Sequence, residues 1–206
     1  MGVSDFEYIY PASILLMSEA QKVLVYCHHC KINKKEDHFL YDEIIKLSND
    51  EAVIETVDIA RAPDYKEDAF STKFTSKHTL EYDLVFLPDC GGRWYFAQQG
   101  LIWDKYHKIS YNLSEQESYL RMMNLRDFVV LHIGSMVKVN GKLVISKFVN
   151  PDFLPLLEAA FQKQNWSIEV RKLEGVTDKL LVATKTDAVL QYPDMVLGSA
   201  PILWRF

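Results

Sequence analysis

The chain has 206 residues, 49% apolar and 25% charged, and a net charge of −5 from 23 Lys and Arg against 28 Asp and Glu. That length and mix suit one globular domain with its own core, and no stretch approaches the roughly 18 uninterrupted apolar residues of a membrane span. The acidic balance excludes a protein that holds nucleic acid by general phosphate attraction, so any such contact must come from a local patch.

At the N-terminus, acids precede the brief apolar run Ile14 to Met17, which is the wrong charge order and too short for a secretory leader. MGVSDF has Phe6 where a myristoylation signal wants Ser or Thr. Three cysteines, Cys27, Cys30 and Cys90, are too few for a disulfide framework and fit a reducing, cytoplasmic setting.

The first element is Lys22 to Cys27, KVLVYC, a β-branched run of buried-strand type. A polar loop follows. Glu36 to Leu47 then spaces Phe39, Leu40, Ile44, Ile45 and Leu47 by about three and four, the pattern of a helix with one buried face. Ala52 to Val57 is a second strand, closed by Asp58. Strand, helix and strand in this length make a right-handed βαβ unit.

Residues 59 to 81 are polar, and Ala69 to Phe74 is the candidate there for a further strand. Asp83 to Leu87 is a clear strand, followed by Asp89, Gly91 and Gly92. An insertion through Ser114 carries Trp94, Tyr95, Phe96, Trp103 and Tyr106. From Ser114, an N-cap with Glu117 three residues on, a helical pattern runs to Val137 with Leu125, Phe128, Val129, His132 and Met136 on one side. Asn140-Gly141 reads as a turn into a strand from Lys142 to Val149 that contains Lys147. Pro151 lies near the start of an amphipathic helix through Gln164. Trp166 to Leu173 and Lys179 to Lys185 form a terminal hairpin through Asp178. In an open parallel sheet, ligands sit beyond the carboxyl ends of the strands, and there the runs give way to Asp58, Asp89 and Lys147.

From about Lys22 to Lys185 the chain resembles the class I, Rossmann-like methyltransferases, and within them the FtsJ-like ribose 2′-O-methyltransferases. The resemblance rests on YDLVFLPD, which ends in Asp89, on NGKLVISKF, which follows a glycine turn and reaches Lys147 before an aromatic, and on TDKLLVATK, which opens with Asp178. It implies an α/β fold with a mostly parallel, doubly wound sheet and a C-terminal strand hairpin. Residues 1–206 then form one domain, with a core of 22–185 and both termini docked on it. S-adenosylmethionine is the implied cofactor, with Asp89, Lys147 and Asp178 catalytic and Asp58, Cys27, His28 and Asp89 facing the cofactor. An RNA or nucleotide acceptor is implied too, and no membrane.

The sequence departs from the family at two places. The segment after the first strand, CHHCKINKKED, contains no glycine, although a backbone lying against a cofactor wants one there. The earliest lysine is Lys22, at the strand itself, where the family has a catalytic lysine well before it. An inactive methyltransferase-like fold serving as a protein-interaction module therefore stands as the alternative. Plainer roles also stay open: Asp89 and Asp178 as turn residues, Lys147 as a solvated strand end, and the aromatics as pins for their loop or as base-stacking groups. The four adjacent residues CHHC cannot all wrap one tetrahedral ion and have no second C-x₂-C pair, so no metal site is expected. Met122, Met123 and Met136 read as core.

Overall fold

The computed structural model describes residues 20–26, 52–57, 64–67, 71–87, 123–146, 153–172 and 179–187. Its frame is a six-stranded sheet. The strands are β1 (Lys22–Tyr26), β2 (Val53–Val57), β3 (Tyr82–Leu87), β4 (Val137–Ser146), β5 (Ser167–Lys172) and β6 (Lys179–Thr184). Their order in space is β2-β1-β3-β4-β6-β5. The first four run parallel, while β6 is antiparallel to both β4 and β5. This is the mostly parallel α/β sheet with a terminal hairpin that the sequence implied.

Burial on both sides explains why β1, β3 and β6 read as unbroken apolar runs rather than alternating ones. On one face, Leu24, Tyr26, Val85, Leu87, Leu143, Ile145, Leu181 and Ala183 belong to a single apolar cluster. On the other, Val23, Val25, Leu84, Phe86, Val144 and Val182 are also buried. Three helices pack into the first cluster: α1 (Thr72–Lys77) through Phe74, α2 (residues 123–136) through Val129, Val130 and Ile133, and α3 (Phe153–Lys163) through Leu157 and Phe161. Each fully buried Leu or Phe contributes about 2 kcal/mol of transfer free energy, so this cluster dominates the stability of the described part.

Local chemistry sets the helix ends. Ser71 caps α1 by accepting the Lys73 N–H on its hydroxyl at 3.2 Å. In α3, Pro155 falls in the first turn, where its missing N–H has no carbonyl to serve. The same helix ends where Asn165 takes φ 60°, and the Trp166 N–H closes back on the Phe161 carbonyl at 3.0 Å.

Three expectations are corrected. Ala69 to Phe74 supplies no strand within the described residues, because Ser71 and the residues after it start a capped helix. The place outside β2 is held instead by a single bridge from Tyr65 to Val57, with Asp64 accepting both the Thr56 N–H at 2.8 Å and the Thr56 hydroxyl at 2.9 Å. Asn140-Gly141 is not a turn before a strand but a bulge inside β4, where the register to β3 jumps from Tyr82↔Val137 to Leu84↔Lys142. Asn140 takes φ 65°, and a Cβ on Gly141 would sit 2.9 Å from the Asp83 carbonyl oxygen, so only glycine fits there.

The third correction is confined to His132 on α2, where Leu125, Phe128, Val129 and Met136 are buried as expected and Phe128–Ile133 is π-helical. The wider turn carries Val130, Leu131 and Ile133 into the core, whereas His132 is only half-buried. Burial lowers the pKa of its imidazole below the usual value. Met123 and Met136 do pack on the core, as expected; Met122 and the helix expected at 36–47 lie outside the described residues.

Candidate functional site

The sheet has two rims, and the register fixes what meets at each. The chain leaves β1 outward to β2 and returns past it to β3, so the direction of winding reverses between β1 and β3. Beyond the carboxyl ends of two such strands the connecting loops diverge and leave a crevice. At this carboxyl rim the strands finish level: Tyr26 is paired with Val57, Val25 with Phe86, and Leu87 with Ile145. Since β6 runs the other way, its start comes to the same rim, with Leu180 opposite Ser146. The described ends are apolar and buried at Tyr26, Val57, Leu87 and Ile145.

All of the sequence-predicted site residues lie outside the described residues: Cys27, His28, Asp58, Asp89, Lys147 and Asp178. Their relation to the frame is one of chain position. Cys27 follows Tyr26, Asp58 follows Val57, and Lys147 follows Ser146, each directly. Asp89 comes two residues after Leu87, and Asp178 directly precedes Lys179. The described strand ends they adjoin therefore belong to one rim of the sheet. The CHHC segment and the aromatic insertion of 93–114 are likewise outside the described residues. No group of three or more potential metal ligands occurs among those that are described.

At the opposite, amino rim the structure shows a polar cluster that the sequence reading missed. Lys22, which opens β1, pairs with Glu81 and lies 3.5 Å from Glu55 of β2. The Glu81 carboxylate also meets His78 Nδ1 at 2.6 Å, and the Tyr82 hydroxyl donates to Glu55 at 2.8 Å. The Lys22 ammonium stands 5.1 Å from the Tyr82 ring centroid. Beside this cluster, Asp83 accepts the Lys22 backbone N–H and the Lys138 ammonium, each at 2.8 Å.

The electrostatics are those of a closed network. Burial acts to raise the pKa of Glu81, but Lys22 and His78 outweigh it and hold the carboxyl below its usual range. In the same way Lys138 and the Lys22 backbone N–H overcome burial at Asp83. Burial acts to lower the pKa of Lys22, yet its two glutamates raise it. For Tyr82, burial and then Glu55 push the pKa of the phenol far above the ordinary value. These groups satisfy one another, and what they do is tie β1, β2, β3 and the end of α1 together. The available signal was the charge standing at the mouth of each apolar run: Lys22 before VLVY, and Glu81 with Asp83 around Tyr82.

No family model matches the chain, and no curated sequence does. Solved structures with a similar trace include methyltransferases. One is the N-methyltransferase NodS from Bradyrhizobium japonicum, 12% identical, covering 91% of this chain and 100% of that one, with a TM-score of 0.49. Another is a release-factor-specific protein-(glutamine-N5) methyltransferase from Alicyclobacillus acidocaldarius, 10% identical, covering 91% and 95%, with a TM-score of 0.46. A third is 1,6-didemethyltoxoflavin-N1-methyltransferase from Burkholderia thailandensis, with bound S-adenosylhomocysteine, 14% identical, covering 89% and 80%, with a TM-score of 0.42. Their names span a protein glutamine and a small molecule, and they assign no acceptor to this chain.

Proposed function

We propose that this protein is an S-adenosylmethionine-dependent methyltransferase acting on a ribose 2′-hydroxyl of RNA, with its site at the carboxyl rim between β1, β3, β4 and the start of β6. The observation that carries this reading is the level finish of β3 and β4, Leu87 opposite Ile145, in a sheet whose winding reverses between β1 and β3. Two residues beyond those partners the sequence has Asp89 and Lys147, and the antiparallel β6 is preceded by Asp178.

The cofactor fits this frame in part. The winding reversal suits a nucleoside, and Asp58, directly after β2, is the residue type that hydrogen-bonds a cofactor ribose, while Cys27, His28 and Asp89 would face the rest. The glycine-free stretch of 27–37 does not suit close backbone approach. Bound there, S-adenosylmethionine would supply a sulfonium methyl group. Lys147 would steer the acceptor hydroxyl and take its proton as the oxygen gains the methyl. Asp89 and Asp178 would orient the Lys147 amine, whose basicity desolvation and neighbouring charge can tune.

The test is calorimetry with S-adenosylhomocysteine, followed by methyl transfer to short RNA by the wild type and Lys147→Ala. We expect a binding isotherm, and transfer that falls about 10²-fold or more in the variant. Full activity in Lys147→Ala removes this lysine from the mechanism.

A second reading has its own support. Lys22, the earliest lysine, is engaged at the amino rim with Glu55 and Glu81, at the end of β1 away from the carboxyl rim. A chain without an early catalytic lysine and without a glycine turn would serve as a protein-interaction module on the same frame. No heat with millimolar S-adenosylmethionine or its demethylated product favours that reading.

A further inference from the structure

The helix α2 ends at Met136 and β4 begins at Val137. The carbonyls of its last turn take donors at and beyond the helix end: Gly134 accepts the Val137 N–H, Ser135 the Leu80 N–H and Met136 the Glu81 N–H. Lys185, just past the end of β6, adds a side-chain donor at this junction. Its Nζ donates to the carbonyl oxygens of Gly134 and Val137, both at 3.0 Å. The Lys185 backbone is stitched to the bulge of β4: the Asn140 N–H donates to the Lys185 carbonyl at 2.7 Å, and the Lys185 N–H to the Gly141 carbonyl at 3.0 Å. Trp166 closes the third side, its ring centroid 5.6 Å from Nζ. Gly134 lets that ring approach, since a Cβ there would come within 3.2 Å of it. The lysine is 1% exposed.

This surrounding suits one protonation state better than the other. A neutral amine has two N–H groups, and two carbonyls meet them; an ammonium has a third, which here has the indole face to turn to. A buried charge is costly without an ion-pair partner, and among the described residues no carboxylate lies in ion-pair contact with Lys185. The exposed Asp187, two residues on, is the charged group that acts on it, and it favours the ammonium from a distance; none on α2, β4, α3 or β5 adds to it among the described residues. Burial outweighs Asp187 and brings the pKa of the amine down from 10.5 to about 8.

We propose that Lys185 is a proton-operated clamp on the α2–β4 junction: as a neutral amine it ties the helix end to the terminal hairpin with both N–H groups, and protonation installs an unpaired charge that loosens the junction. The clamp stands independently of methyl transfer, because it rests on side chains at the amino rim. Its sign follows from linkage. Between the folded and unfolded values of this lysine the unfolded chain binds more protons, so stability rises with pH across that window and this group adds nothing further below it.

Equilibrium unfolding of the full chain in urea, from pH 7 to 10.5, tests this against Lys185→Met. Relative to the variant, the wild-type unfolding constant should fall by roughly two orders of magnitude between pH 8 and 10.5. Parallel profiles overturn the proposal. A second measurement covers the case in which the variant does not fold: carbon-13 NMR of lysine-labelled wild-type protein and of Asp187→Asn. One lysine should titrate about two pH units below the others, and lower still in Asp187→Asn, which lacks the charge that favours the ammonium. If every lysine titrates in the ordinary range, Lys185 is no switch.

Discussion

The two rims of the sheet are built on opposite terms. At the amino rim, apart from the enclosed Lys185, charged groups stand on or beside the strands themselves and satisfy one another: Lys22 with Glu55 and Glu81, His78 with Glu81, Lys138 with Asp83. At the carboxyl rim the described strand ends are apolar and buried, at Tyr26, Val57, Leu87 and Ile145, and ionisable residues begin only in the sequence after them. A charge held by a partner on rigid backbone contributes to stability and to little else. On the proposed function, the charges that follow the carboxyl ends in sequence would meet a ligand and add little to the fold. The sheet would then separate holding from working along the strand axis.

The comparison breaks most visibly if the rims are exchanged by mutation. Lys147→Ala, on the carboxyl side, should lose the transfer activity described above while shifting folding stability by no more than about 0.5 kcal/mol. Lys22→Met, on the amino side, should do the reverse. It leaves the Glu55 and Glu81 carboxylates without their shared cation in a partly buried place, which costs about 1–3 kcal/mol. Cofactor affinity, measured by calorimetry at a temperature where both forms are folded, should stay level. A Lys22→Met protein of unchanged stability and weakened cofactor binding would show that the rims are not separate.

Acid sharpens the same contrast with a smaller effect. Glu81 and Asp83 have folded-state pKa values below the usual range. Their contribution is therefore full above the unfolded carboxylate values, near about pH 4, and is lost as pH falls through the lowered folded values. Urea unfolding midpoints between pH 6 and 3 should decline for the wild type, and less steeply for the Lys22→Met/Lys138→Met double variant. Equal slopes would mean that the amino-rim pairs do not anchor those carboxylates.

How much of this was legible depends on whether a feature is local. β1, β3 and β6 were readable because strands buried on both faces must be continuous apolar runs, as in KVLVY and KLLVAT, while β5 shows the alternation of a half-exposed edge strand in SIEVRK. α3 was readable from its spacing. The bulge at Asn140-Gly141 was misread because the same dipeptide serves a turn or a bulge, and the choice is made by Asp83 and Lys185 on neighbouring strands. The π-helical turn at Phe128–Ile133 has no sequence mark in an apolar stretch that can bury on any side. Lys185 looked like a strand end, since nothing nearby in sequence announces that Gly134, Val137 and Trp166 enclose it. Of the proposed site, the sheet frame was legible through the order of strands and their terminal residues, while the side chains themselves lie in 27–28, 58, 89, 147 and 178, outside the described residues.

The smallest effect comes from a charge pair that belongs to neither rim. Arg171 meets Glu169 at 2.7 Å along the edge strand β5, with the Glu169 side chain 57% exposed. Glu169 lies below its usual pKa and Arg171 above its own, each through the other. Water screens such a pair, and two long side chains lose freedom to hold it, so Arg171→Ala should cost no more than about 0.5 kcal/mol. The pair stands on the outermost strand, where charge also discourages another sheet from adding on. Arg171→Ala should therefore unfold at nearly the wild-type urea midpoint, and light scattering at raised concentration should be the more sensitive readout. A loss as large as that of Lys22→Met would mean that ion pairs stabilise this sheet wherever they lie, and the distinction between its rims would reduce to counting charges.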